Sequence, residues 1–152
     1  MPKNRLYTLL VKDYDGRVTA RLANGTEQLR KNFQVYEFRV NKDDGLDLAC
    51  VSEFDLDTLQ YIRSILNARI EVTSAGRTPE YNARPNVGGS ERSMHQYMFD
   101  CLDFIVAEAT PVQLEHIFQY LIQRGYKGIG RYKGGRFHID KRNGELTVWD
   151  ER

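Results

Sequence analysis

Three side chains in the second half of the chain are able to do chemistry together. His95 lies in Ser93-Met94-His95. Asp103 comes eight residues later, inside the apolar run Cys101-Leu102-Asp103-Phe104-Ile105-Val106. His138 lies in Arg136-Phe137-His138-Ile139-Asp140. Two imidazoles and a carboxylate form a ligand set for a catalytic zinc, with the fourth tetrahedral position left to water. Each residue also has a plainer reading. An acid in an apolar run is costly to bury unless it is paired or bound to metal. Asp103 therefore holds a metal, pairs with an arginine, or sits at a bend that exposes it. Strand alternation puts Arg136, His138 and Asp140 on one face and Phe137 and Ile139 on the other, which is also the pattern of an ordinary half-exposed strand. His95 in its loop is equally open to a solvated role. His116 falls off the apolar stripe of its helix and is expected exposed, outside the site.

The elements that must position these residues can be read from periodicity and turn chemistry. Leu6 to Val11 and Arg17 to Leu22 read as strands joined at Asp15-Gly16, with Asn24-Gly25 as the next turn. Residues 32–38 are a short apolar stretch of open type. Ser52 caps a helix whose Leu56, Leu59, Ile62, Ile65 and Leu66 recur at helical spacing, ending near Asn67. Arg69 to Thr73 alternates as a strand. Ser74 to Met94 reads as a long loop, of a length that tends to be functional or disordered. Cys101 to Val106, apolar on both faces, is expected inside its sheet. Thr110-Pro111 opens a second helix striped by Leu114, Ile117, Phe118 and Leu121 and closed by Gly125. Arg136 to Asp140 and Glu145 to Trp149 are expected to form a hairpin around Asn143-Gly144.

Composition bounds the function. At 152 residues the chain is expected to form one domain, with residues 1–28 an accessory hairpin and 30–150 the core. Basic and acidic residues number 22 and 21, for a net charge of +1, a balance that argues against a nucleic-acid partner. No apolar stretch approaches the ~18 residues that cross a bilayer, so no membrane association is expected. The N-terminus carries no secretory signal pattern. Cys50 and Cys101 lack metal-site spacing and are expected as free thiols.

As an ordered set, the motifs resemble the zinc D-alanyl-D-alanine carboxypeptidases and related peptidoglycan endopeptidases, in the branch common in phages and prophages. The residues that carry the resemblance are Arg77-Thr78-Pro79-Glu80-Tyr81-Asn82, Val87-Gly88-Gly89, Ser93-Met94-His95, Gly128-Ile129-Gly130-Arg131-Tyr132 and His138-Ile139-Asp140-Lys141-Arg142, closing on Trp149. They run from about Asn32 to Trp149. One spacing departs from the family. Its usual His-x-x-Gly-x-Ala-x-Asp places the aspartate seven residues after the histidine; here the interval is eight and the glycine is missing. One extra residue near Met98 or Phe99 accounts for this. Cys101 then replaces the small alanine and Asp103 keeps the ligand place, with Asp100 as the rival.

The resemblance implies an α+β fold: a mostly antiparallel sheet, helices on one side, and a zinc cleft on the other, as in hedgehog and D-Ala-D-Ala peptidase-like domains. It implies zinc held by His95, Asp103 and His138. Arg77 is the family's site arginine, suited to an oxyanion or a substrate carboxylate, and Ser93 would contact substrate. Where relatives carry a histidine or glutamate as general base just before the last metal histidine, this chain has Arg136 and Phe137. Asp140, roughly 7 Å along the strand from His138, is expected in the site as base or as the group that orients His138 or Arg77. The implied substrate is a peptidoglycan stem peptide. The implied setting is a monomeric phage or prophage lysis protein or virion component, cytoplasmic until released. An inactive wall-binding or virion module on the same fold, and a dipeptidase acting on small peptides, are the competing readings.

Overall fold

Hydrogen-bonding needs at the turns set the first strands of the computed structural model, which describes residues 2–42, 44–85, 87, 89 and 99–152. Asp13 accepts from the backbone N–H groups of Asp15 and Arg17, both at 2.9 Å, and Gly16 takes φ 86°. That turn joins β1 (Leu6–Lys12) to β2 (Val18–Asn24) in antiparallel register. Two short strands, β3 (Gln28–Arg30) and β4 (Phe33–Gln34), pair with each other and lead into a 3₁₀ turn at Val35–Phe38. β5 (Leu48–Ser52) then lies parallel to β1 and completes a three-stranded sheet, so the N-terminal hairpin is joined to the body of the fold through β1 and β5.

β5 runs directly into α1 (Glu53–Ser64), where Ser52 Oγ accepts from the Asp55 N–H at 3.1 Å. β6 (Arg69–Ser74), the one-turn α2 (Pro79–Asn82) and β7 (Cys101–Ala107) follow. α3 (Pro111–Arg124) begins with a reciprocal cap between Thr110 and Gln113 and ends at Gly125, whose φ of 98° is in the left-handed region that glycine enters without steric cost. β8 (Gly128–Tyr132), β9 (Arg136–Asp140) and β10 (Thr147–Glu151) complete a second sheet in the order β10-β8-β9-β7-β6.

The α+β class is as expected, and most strand pairings are antiparallel as expected, although two parallel pairings make both larger sheets mixed. β1 and β5 are parallel, as are β8 and β10. The expected C-terminal hairpin does not form. β9 is already hydrogen-bonded on both edges, to β7 and β8, and has no edge left for the final strand. Gly144 still turns the chain, at φ 97°, and β10 takes the outer edge of β8 instead. One face of the five-stranded sheet is apolar: Val72, Leu102, Phe104, Val106, Ile129, Phe137 and Ile139 pack against Leu56, Leu59 and Ile62 of α1 and Ile117 and Leu121 of α3. The helices thus cover one side, leaving the other face to polar residues. Among the described residues no helix is long and apolar enough to cross a membrane. Cys50 and Cys101 are free, buried thiols.

Candidate functional site

The period-two alternation that buries Leu102 and Phe104 turns Cys101 and Asp103 to the opposite face of β7. The same alternation on β9 turns out His138 and Asp140 beside Phe137 and Ile139. The register pairs Asp103 directly with His138, and Cys101 with Asp140. Asp103 Oδ1 lies 2.9 Å from His138 Nδ1, and Asp140 Oδ2 lies 2.7 Å from His138 Nε2. The Cys101 sulfur sits 3.9 Å from the same Nδ1. Asp100, the rival ligand, instead faces Lys12 at 3.6 Å.

β8 makes room for this cluster by carrying no side chains opposite it. Gly128 is the register partner of Asp140, and Gly130 of His138. A Cβ at position 128 would fall on the Asp140 carboxylate, and one at 130 would meet the Trp149 indole at 2.5 Å. The Gly-Ile-Gly motif is thus a steric requirement of the site, with Ile129 between the glycines serving the core. Trp149, on β10 beside Gly130, stacks obliquely near the His138 ring at 5.2 Å between centroids and donates from Nε1 to the Tyr132 hydroxyl.

Asp140 is completely buried, yet charged groups surround it. Arg142 donates to it from Nε (2.8 Å), Nη2 (2.7 Å) and its backbone N–H (3.1 Å). Burial opposes ionisation here, but the two-pronged guanidinium and the imidazole outweigh it and hold the carboxyl well below the usual range. For His138, burial opposes the charged ring. The Asp103 and Asp140 carboxylates prevail and move its pKa up. Desolvation first, then the nearby carboxylates, push the Cys101 thiol up, with the Arg77 charge opposing.

This arrangement suits a cation. Each ring nitrogen of His138 has a carboxylate oxygen in hydrogen-bond reach, so a cation that took the place of the proton between Nδ1 and Asp103 would meet a carboxylate oxygen and an imidazole nitrogen, with Asp140 accepting from Nε2–H behind the ring. Among the described residues no group of three His, Cys, Asp or Glu side chains forms a metal site. His95 and Ser93 lie outside the described residues, as does Gly88.

Arg77 approaches from the turn after β6. Asn82 Oδ1 accepts from its Nη1 at 3.2 Å. Thr78 caps α2, with Pro79 in its first turn. Sequence reasoning passed over Asn41, which ties this turn down. Its side chain accepts from the Thr78 N–H at 2.9 Å and donates to Thr78 Oγ1 at 3.0 Å, while its own N–H donates to the Gly76 carbonyl at 3.1 Å. It takes φ 50°, a left-handed conformation that asparagine tolerates. No periodicity marks residue 41. Arg142 and Trp149 were visible only as members of a motif. His116 is exposed on α3, as expected.

A family model described as Peptidase M15 matches residues 31–140. That span takes in Asn41, Arg77, Asp103, His138 and Asp140. No curated protein and no solved structure matches the chain.

Proposed function

This chain belongs to the peptidase M15 family, and from that premise we propose that it is a zinc-dependent hydrolase of a peptide bond in bacterial peptidoglycan stem peptides. The observation that carries this reading is the facing pair Asp103–His138 with Asp140 behind the ring, on the helix-free face of the sheet and inside the matched span. Asp103 and His138, with His95, would hold the ion. The chemistry that a zinc supplies when bound is a water whose pKa falls to about 7 and a polarised carbonyl.

The chain's own residues have distinct tasks in this reading. Asp140 accepts from His138 Nε2–H and keeps Nδ1 unprotonated toward the ion. Arg142 and the Arg142 N–H keep Asp140 ionised and in place. With its oxygens engaged by Arg142 and His138, Asp140 is the orienting group of its two expected roles, not the base. Arg77 faces the oxyanion or a substrate carboxylate with a two-donor fork, and Ser93 contacts substrate. The setting we favour is a phage- or prophage-encoded enzyme acting on the wall.

The test is metal analysis of the purified chain, joined to mass spectrometry of fragments released from sacculi with and without a chelator. The expected result is about one zinc per chain, chelator-sensitive release of peptide fragments, and loss of both in His138→Ala. Full activity in His138→Ala would sink the site assignment. Zinc with no release of fragments favours the inactive wall-binding module, whose motivation is the eight-residue interval after His95 and the absence of a base before His138.

A further inference from the structure

We propose that the free edge of β2 is an interface at which two copies of this chain pair antiparallel about Ala20, joining their three-stranded sheets into one. β2 is the outermost strand of its sheet in the order β2-β1-β5. Residues 18–22 are exposed on both faces of the strand, so among the described residues nothing closes over that edge. The pairing is independent of the hydrolase chemistry, because β1 and β2 precede residues 31–140, the span that the family model matches.

Two bonds at the ends of the hairpin fix which backbone groups point outward. Asp13 N–H donates to the Arg17 carbonyl at 2.9 Å, and Gly25 N–H donates to the Arg5 carbonyl at 2.8 Å. The register between β1 and β2 is unbroken, and hydrogen-bonded and open pairs alternate along an antiparallel ladder. Thr19, Arg21 and Ala23 therefore bond inward to β1. Val18, Ala20 and Leu22 turn their N–H and C=O groups to the outside, where no described backbone group meets them.

That parity leaves few ways for a second copy to dock, and charge and hydrogen bonding choose among them. Centred on Ala20, Ala20 faces itself and Val18 faces Leu22 of the second copy, twice by symmetry. The ladder then gains on the order of six backbone bonds. The side chains brought together are apolar and now exposed, Val18 at 50% and Leu22 at 66%. Centred on Arg21, the two guanidinium groups would lie opposite each other, an unfavourable like-charge pair. Centred on Leu22, Asn24 would have to pair with Ala20, but its carbonyl already accepts from the Glu27 N–H at 3.0 Å. A centre nearer the Asp15-Gly16 turn shortens the ladder.

The other sheet ends are guarded and β2 is not. β6 carries Arg69 and Glu71 on its edge, and β10 carries Asp150 and Glu151. Charges of this kind, prolines and bulges are how edges are kept from pairing. β2 has no proline and no bulge, and Arg21, its one charged residue, is neutralised by Glu27 through both terminal nitrogens. A contact confined to one strand edge falls short of the roughly 1,200 Å² of stable interfaces, so the dimer is weak and forms with rising concentration.

Sedimentation velocity on the full chain, from about 1 μM to about 1 mM, tests this. We expect a reversible shift from the 17.7 kDa monomer toward twice that mass. Val18→Glu and Leu22→Lys should each weaken the dimer about tenfold, and the double variant, with opposite charges facing across the axis, should return within about threefold of the parent. Thermal melts check that each variant folds. As a second reading, Ala20→Cys places two thiols about 5.5 Å apart between Cα atoms, within disulfide reach, so mild oxidation should link the copies. Cys50 and Cys101 are buried and stay out of that reaction. A monomer at every concentration, or a dimer that neither single variant weakens, overturns the interface. Single variants that weaken with no recovery in the double, or cross-linking by Leu22→Cys in place of Ala20→Cys, overturns the pairing about Ala20.

Discussion

Asp55 and Asp140 are both buried carboxylates, and the consecutive residues Lys141 and Arg142 close on them from the end of β9. On the helix side, Asp55 accepts from the Tyr126 hydroxyl at 2.6 Å and faces the Lys141 ammonium at 3.3 Å, while Lys141 also donates to Ser52 Oγ at 3.0 Å. On the site side, Asp140 receives two guanidinium bonds, a backbone N–H and the His138 ring. Burial wins at Asp55 and moves its pKa up; at Asp140 the donors win and move it down. Depth of burial and the number and geometry of donors together decide the charge. Asp55, the more deeply desolvated of the two, has one shared ammonium and its pKa rises, whereas at Asp140 a planar two-pronged partner, a backbone N–H and an imidazole outweigh a smaller desolvation. The helix network needs only a hydrogen-bonded joint between α1 and β9. The site needs an ionised acceptor behind an imidazole.

The largest effect that separates the two regions is expected from Asp140→Asn. Loss of the oriented carboxylate behind His138 should lower zinc affinity and peptide cleavage by 10–100-fold, read by competition with a chromophoric chelator and by fragment release. Wild-type affinity in that variant would show that Asp140 does not orient the ligand. Next is Tyr126→Phe, which removes a donor from buried Asp55 and should cost about 1–3 kcal/mol of stability in urea unfolding with zinc affinity unchanged. A drop in zinc affinity there would mean that the two networks are coupled through Lys141 and Arg142.

The smallest effect sharpens the comparison within α1. Asp57, two residues after Asp55, is bound by Arg30 Nε at 2.8 Å and by the Tyr14 hydroxyl at 2.5 Å. Burial opposes ionisation there too, but these hydrogen bonds prevail and lower its pKa from 3.8. Its contribution is therefore whole above that ordinary value and is lost as pH falls through the folded one. Asp57→Asn should show a deficit of about 0.2–1 kcal/mol at neutral pH, the range of an exposed pair, that closes in acid. Asp55, with its pKa raised, behaves oppositely: its cost is absent below 3.8 and grows as pH rises. Asp55→Asn should therefore gain on the parent as pH increases. Urea titrations from pH 3 to 7 check both, and slopes of the same sign would contradict the contrast.

Much of this was legible in the chain. Ser52, Thr110, Pro111 and Gly125 bound two helices through hydrogen bonds that span a few residues. Alternation sorted His138 and Asp140 from Phe137 and Ile139, and the motif order pointed to the family. The hairpin at Asn143-Gly144 misled because a turn signal specifies a reversal but not which strand has a free edge. The glycines at 128 and 130 read as a motif until the register put Asp140 and His138 opposite them. Asn41 carried no signal, since the partners of its side chain and its N–H lie 35 or more residues away.

Everything readable from residue order alone is therefore local or patterned: caps, turns, faces of strands, and an ordered motif set that points to the peptidase M15 family. Folding in three dimensions was needed to bring Asp103 rather than Asp100 to His138, to close Arg142 on Asp140, to lay β10 parallel on β8, and to tie Asn41 to the 76–78 turn. The physical reason is range. A cap or an alternating face is satisfied within one or two turns of chain, whereas register, edge availability and the pairing of charges depend on which distant strands the core brings together.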